Sequence, residues 1–211
     1  MAYPVLFQAD YREEQSRLTT FFRIIVAIPW MLMSIVWGLA ALVGVVVGWF
    51  SIVFTGRYPE FAYDLVTKAL RFGTRFNAWY WLMTDVWPPF DGDDHPEYPV
   101  RLLVPERQEQ YSRVKTLFRI ILVIPVLIMI YLFNILIQIV GLLLWVVIVI
   151  TGKAPKGLWD VQKMGVAYVQ RGNAYHLLVT ESYPPLSADD GDAAVPPAPA
   201  APAAGPSPFG G

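Results

Sequence analysis

The chain has 211 residues, 55% of them hydrophobic and 16% charged, with a formal net charge of −1. A soluble domain carries about a quarter charged residues, so this one, at a mean hydropathy of +0.44, is short of polar cover. The balanced charge provides no field for nucleic acid, and the absence of cysteine removes disulfides, thiolate metal sites and cysteine nucleophiles.

The opening segment, YPVLFQADY from Tyr3 to Tyr11, partly alternates and is β-prone, which suits an edge strand. It lacks a basic stretch before an apolar core, so it does not read as a cleavable signal peptide, and insertion falls to the first apolar run. A short basic amphipathic helix should begin near Ser16, a good N-cap. Pro29 removes an N–H and crowds the preceding turn. It should kink the chain there, leaving Arg23 among lipid headgroups and directing Trp30 to Phe54 into the bilayer. No residue from Ile24 to Phe54 is charged. At about 1.5 Å per residue the span reaches about 37 Å, enough to cross ~30 Å of hydrocarbon at a tilt.

Ala40, Gly44 and Gly48 form a small-residue ladder within this span. It reads either as a partner interface or as helix packing inside the chain. Beyond the FTGRYP turn, Glu60, Asp64, Lys68, Arg71 and Arg75 fall within an arc of about 80° at helical spacing. Phe61, Leu65, Phe72, Phe76 and Trp79 lie opposite. Such an amphipathic helix rests at the membrane interface or crosses with its charged stripe toward other helices. The linker DGDDHPE, Asp91 to Glu97, gathers carboxylates around His95. Oxygen ligands suit a hard cation, but the spacing fits no calcium loop and reads as a solvated acidic turn.

The whole pattern then recurs. SRLTTFFRIIVAIP, from Ser16, lies over SRVKTLFRIILVIP, from Ser112, at an offset of 96 residues. Thr55-Gly56 falls on Thr151-Gly152, Trp49 on Trp145 and Pro88-Pro89 on Pro184-Pro185. This is tandem duplication. The second apolar run, Ile120 to Gly152, is also uncharged. It carries Asn134 and Gln138 one turn apart, which line a polar path or hydrogen-bond between helices. The division is repeat 1 over 1–94, repeat 2 over 95–190, and a Pro/Ala-rich tail over 191–211 expected to be disordered.

The expected fold is thus an all-α integral membrane protein of two tandem repeats. Each is a Pro-kinked transmembrane helix plus an amphipathic helix, with short β-prone segments on the cytoplasmic side. Arg12, Arg17 and Arg23 precede the first span, and Arg101, Arg107, Arg113, Lys115 and Arg119 precede the second. The positive-inside rule places both stretches, and both termini, in the cytoplasm. Each unit must then cross an even number of times, or enter as a re-entrant hairpin, with the two units oriented in parallel.

YPV at the start, SR…FRII before the span, FTGRYP after it and TD.WPPF at the close resemble the bacterial, mainly actinobacterial, membrane family known as domain of unknown function 4389. The resemblance covers both units, roughly residues 3–190. It implies a bacterial cytoplasmic (inner) membrane and transfers no activity. The second unit departs from it at ITGKAP, where Lys153 and Ala154 replace Arg57 and Tyr58.

No Ser/His/Asp signature, GxSxG, phosphate loop or HExxH occurs, so no catalytic residue, cofactor or metal is assigned. The expected function is that of a non-catalytic accessory or scaffolding subunit, partnered by lipid and by other membrane proteins or itself. One alternative is a small oligomeric transporter or channel using Asp64, Lys68, Arg71, Arg75, Asn134 and Gln138. Another is a membrane-shaping hairpin protein.

Overall fold

The computed structural model describes residues 3–186; the tail assigned to 191–211 lies outside them. In chain order the elements are β1 (Leu6–Ala9), α1 (Arg17–Val26), α2 (Ile28–Thr55), α3 (Glu60–Tyr80), β2 (Val100–Leu103), α4 (Arg113–Leu117), α5 (Arg119–Leu122), α6 (Ile124–Thr151) and α7 (Lys156–His176).

The local signals behave as their chemistry requires. Ser16 and Ser112 cap α1 and α4, their hydroxyls accepting from the amides of Thr19 and Lys115. Pro29 stands in the first turn of α2, and Ile124-Pro125 opens α6. Each proline ends one helix and starts the next, because an interior proline cannot supply the N–H that would continue the ladder. The chain kinks there without a full break: Ala27 and Val123 stay in the right-handed helical region, and their amides donate to the Arg23 and Arg119 carbonyls. Gly56 and Gly152 terminate the long helices at φ +77°, a left-handed conformation that favours glycine. Pro59 and Pro155 then sit at the N-caps of α3 and α7. Each unit is thus an antiparallel hairpin of a long apolar helix and a shorter, charged one.

Inside the first hairpin the small-residue ladder is covered by its own chain. A methyl group on Gly44 would lie 2.8 Å from the Ala62 carbonyl oxygen, and one on Gly48 would lie 2.3 Å from the Tyr58 ring. Ala40 is only half-buried beside them. The ladder is helix packing within the unit, and the partner-interface reading is withdrawn for these residues. In the second unit Val140 and Leu144 occupy the ladder positions, and Ala154 replaces the buried Tyr58. Volume has moved from the turn to the helix. The same exchange recurs further along, where Gly165 and Gly172 of α7 receive Ile137 and Ile130 of α6. The FTGRYP-to-ITGKAP difference and the loss of the ladder are one compensated repacking.

The two units exchange their leading segments. β1 and the strap behind it lie along α7: the Tyr3 hydroxyl donates to the Arg171 carbonyl, that of Tyr11 to the Ala154 carbonyl, and the Gln15 amide to Gly152. The strap from β2 lies along α3 in the same way. Tyr63 donates to the Pro105 carbonyl, Arg107 to the Tyr58 carbonyl, and the Tyr111 amide to Gly56. α1 packs on α6, where the Trp145 indole donates to the Thr20 carbonyl at 3.0 Å; α4 packs on α2 through the equivalent bond from Trp49 to Thr116 at 3.1 Å. β1 and β2 pair antiparallel, Leu6 with Leu103, Phe7 with Leu102 and Gln8 with Arg101. Since Tyr3-Pro4-Val5 corresponds to Tyr98-Pro99-Val100, Phe7 faces its own counterpart, and a pseudo-two-fold axis passes through that pair.

This sheet makes the two hairpins run in opposite directions. Each strap runs from the C-terminal part of its helix toward the N-terminal end. The straps are antiparallel to each other, so α3 and α7 oppose, and α2 and α6 with them. The end of α3 accordingly meets the start of α7: Gln162 and Trp159 donate to the carbonyls of Trp81 and Met83.

The packing has layers. The ribbon lies on α3 and α7, whose other faces carry α2 and α6. α2 and α6 are long and apolar enough to cross a membrane, yet only 17% of each one's most apolar window is buried.

Gly48→Ala should lower stability by about 1–3 kcal/mol through overpacking against Tyr58. Gly38→Ala, exposed and with open space where the methyl would stand, should raise it by up to about 1 kcal/mol. Thermal unfolding of both variants in detergent checks the pair.

Candidate functional site

Three polar groupings are built into this frame, and an apolar surface faces away from them. The first was missed in the sequence. Arg23 is 2% exposed and not among headgroups. Its guanidinium pairs with Asp85, donates to the carbonyls of Trp79 and Thr84, and lies over the Trp79 ring at 4.9 Å. Asp85 also accepts from the Ser16 amide at 2.5 Å, so it caps α1 as well. In the second unit Arg119 stacks on Tyr175 at 3.9 Å and donates to the Thr180 carbonyl, while Glu181 accepts from the Ser112 amide. These seams fasten the start of each unit to its own closing loop. The signal was available: Arg23 and Arg119, and Thr84-Asp85 and Thr180-Glu181, recur at one offset.

The second grouping is the acidic loop. Arg75 reaches into it and donates to the Asp91 and Asp93 carbonyls at 2.6 and 2.5 Å. Lys68 pairs with Asp93 at 2.9 Å. His95 bridges Asp91 and Glu97 at 2.9 and 3.0 Å. Hydrogen bonds from its ring to the two carboxylates raise His95 above its ordinary value, and Asp91 and Glu97 are held below theirs. No group of three ligating side chains suited to a metal ion occurs among the described residues. The loop's carboxylates are instead engaged by cations of the chain.

Asp64 and Arg71 belong to a third place, an open polar cleft with Glu60, Glu106 and Arg107. Asn134 donates to the Ile130 carbonyl of its own helix. Gln138 lines a separate, mostly apolar cavity of about 370 Å³ beside Arg23, Trp81 and Trp145. Of the six residues expected to line one polar path, Asp64, Lys68, Arg71 and Arg75 follow one another along α3, with Lys68 and Arg75 against the acidic loop and Asp64 and Arg71 in the cleft, while Asn134 and Gln138 stand on α6.

The remaining surface is apolar and extensive. Leu32, Ile35, Leu39, Leu42 and Phe54 of α2 are exposed, as are Leu132, Ile139, Leu142 and Ile150 of α6. Leu18, Ile24 and Ile25 of α1 widen it beside α6, and Val114, Ile120 and Ile121 of α4 and α5 widen it beside α2. Patches of this extent mark an interaction surface.

Two predictions follow from the polar groupings. Asp85→Ala leaves Arg23 buried without its counter-charge and should cost about 3 kcal/mol. Glu181→Ala removes one capping acceptor, for about 1 kcal/mol; denaturant titration of both variants separates them. For His95, whose folded value is raised, the contribution is full below its unfolded 6.5 and is lost as pH rises through the higher folded value. Asp91 and Glu97, both lowered, contribute above their unfolded 3.8 and 4.5 and lose that contribution as pH falls. Protection of the Tyr98 amide, which donates to the His95 carbonyl, should therefore peak between about pH 4.5 and 6.5, and the alkaline decline should vanish in His95→Gln.

Comparison with known proteins gives one match. No curated protein and no solved structure matches the chain. A family model described as a domain of unknown function, DUF4389, matches residues 17–91 and again 113–188. Those intervals are the two helical hairpins with their leading helices and closing loops. The chain belongs to the DUF4389 family, as two tandem copies of its domain.

Proposed function

We propose that this chain is a non-catalytic integral membrane protein of the bacterial cytoplasmic membrane, acting as an accessory or scaffolding subunit. The observation that carries the reading is the division of its surface. One side, made of α1, α2 and α4–α6, exposes large aliphatic side chains along the full length of both 28-residue helices. Exposed ionised groups lie in the straps, the loops, the polar faces of α3 and α7 and the first turns of α1 and α4, while Arg23 and Arg119 are buried. Lipid satisfies the first surface at no cost in hydrogen bonds. The second is left in water as a platform for other proteins.

Chemistry at that platform has little support. Its charged groups engage one another: Lys156 with Asp160, Lys153 with Glu13, and Arg101 with Asp94. A conducting path is less favoured, because Lys68 and Arg75 are engaged by the acidic loop and Asn134 donates to its own helix.

Tagged full-length protein should stay in the membrane fraction through carbonate and urea washes. After mild-detergent purification it should carry a second membrane protein at fixed stoichiometry. Recovery in the soluble fraction would overturn the membrane reading, and purification of the chain alone would overturn the scaffolding one.

A further inference from the structure

The length and hydropathy of α2 and α6 suggest that each crosses the bilayer. The placement of the charges argues otherwise. The acidic loop packs against the middle of the first hairpin. Asp93 meets Lys68, the ninth of the 21 residues of α3, and a methyl group on Gly92 would stand 2.6 Å from the Lys68 carbonyl oxygen. Phe90, just before the acidic loop, accepts from the Trp37 indole at 2.9 Å, ten residues into α2. The Lys68 and Asp93 side chains remain 45% and 64% exposed. If α2 stood along the bilayer normal, these solvated charges would fall near the mid-plane of a hydrocarbon layer of about 30 Å. Charges are tolerated there only when facing a protein interior or a water-filled cavity. The two-stranded ribbon, with Gln8 and Arg101 paired across it, would lie at the same depth with both its edges open, which lipid does not allow.

The antiparallel relation adds a second conflict. Crossing helices would put the turns at Arg57 and Lys153 on opposite faces of the membrane. The basic stretches before α2 and α6 would separate with them, against the rule that gathers lysine and arginine on one side.

Both conflicts disappear if the molecule is laid flat. We infer that the chain enters the bilayer from one face only. α2 and α6 then lie in the plane of a single leaflet, and the pseudo-two-fold axis stands along the membrane normal. The partner is the acyl-chain region of that leaflet. α1 and α4–α5 broaden the embedded surface with Leu18, Ile24, Ile25, Val114, Ile120 and Ile121. α3 and α7 form the layer above, and the ribbon and acidic loop face water. The exposed cations at the starts of α1 and α4, Arg17, Arg113 and Lys115, meet the same headgroups, where lysine and arginine are attracted to anionic lipid. This rests on the membrane reading above and specifies how the protein is held.

The chain's lack of cysteine makes the test direct. Single cysteines replace Arg57, Asp94 and Lys153 in the full-length protein, all three exposed and outside the helices. Intact cells are treated with a membrane-impermeant maleimide before and after permeabilisation. One-sided entry predicts the same result at all three positions in intact cells, and labelling of all three once the membrane is opened. Inverted crossings would make Arg57→Cys and Lys153→Cys differ from each other. Parallel crossing hairpins would make Asp94→Cys differ from both. Either pattern overturns the inference while leaving membrane residence intact. Loss of the protein to the soluble fraction would defeat the membrane reading itself and would be seen before any labelling.

Discussion

The molecule is held together by an exchange: each unit's first strand, strap and short helix are seated on the other unit. The indole–carbonyl bonds from Trp145 to Thr20 and from Trp49 to Thr116 fix that exchange on one side. The strap bonds to Gly152 and Gly56 fix it on the other. Without it, each long apolar helix would keep only the cover of the shorter helix in its own hairpin, and α3 and α7 would lose the ribbon that covers them. The arginine seams depend on it too. Asp85 and Glu181 tie the start of α1 and α4 back to the unit of origin while the helices themselves lean on the neighbour. Every short leading helix is thus clamped from two directions.

Much of the local structure was legible in the sequence, because it is set by single residues with one physical job. The serines cap, the prolines interrupt, the glycines after threonine take the left-handed turn, and the alternating YPV segments become strands. The tandem copy could be read directly. What escaped was everything that depends on which surface meets which. Periodicity says that α3 has a charged face, but not that the chain's own loop lies on it. The arginine in FRII sits beside an apolar run and so suggests a headgroup; its carboxylate partner lies 62 residues away and leaves no local trace. The direction of the second hairpin relative to the first is likewise absent from any window of sequence and is fixed only by the register of two four-residue strands.

The distribution of the basic residues says that both leading stretches share one side, and that conclusion is compatible with the fold. The expectation of crossing spans stands beside a re-entrant entry, and the one-sided entry inferred above keeps the shared side without a crossing.

The volume shuffle inside the hairpins has a wider meaning. Tyr58 fits because Gly48 gives way, and Leu144 fits because Ala154 does; in each case giver and receiver belong to the same hairpin. The contacts that join the halves use matching residues in both: tryptophan to threonine carbonyl and arginine beside the turn glycine. Interior change is therefore private to one copy, while the joint is written in a shared alphabet. A solitary copy would present both halves of that joint, and two such molecules would find in each other the mate that this chain carries on its own backbone.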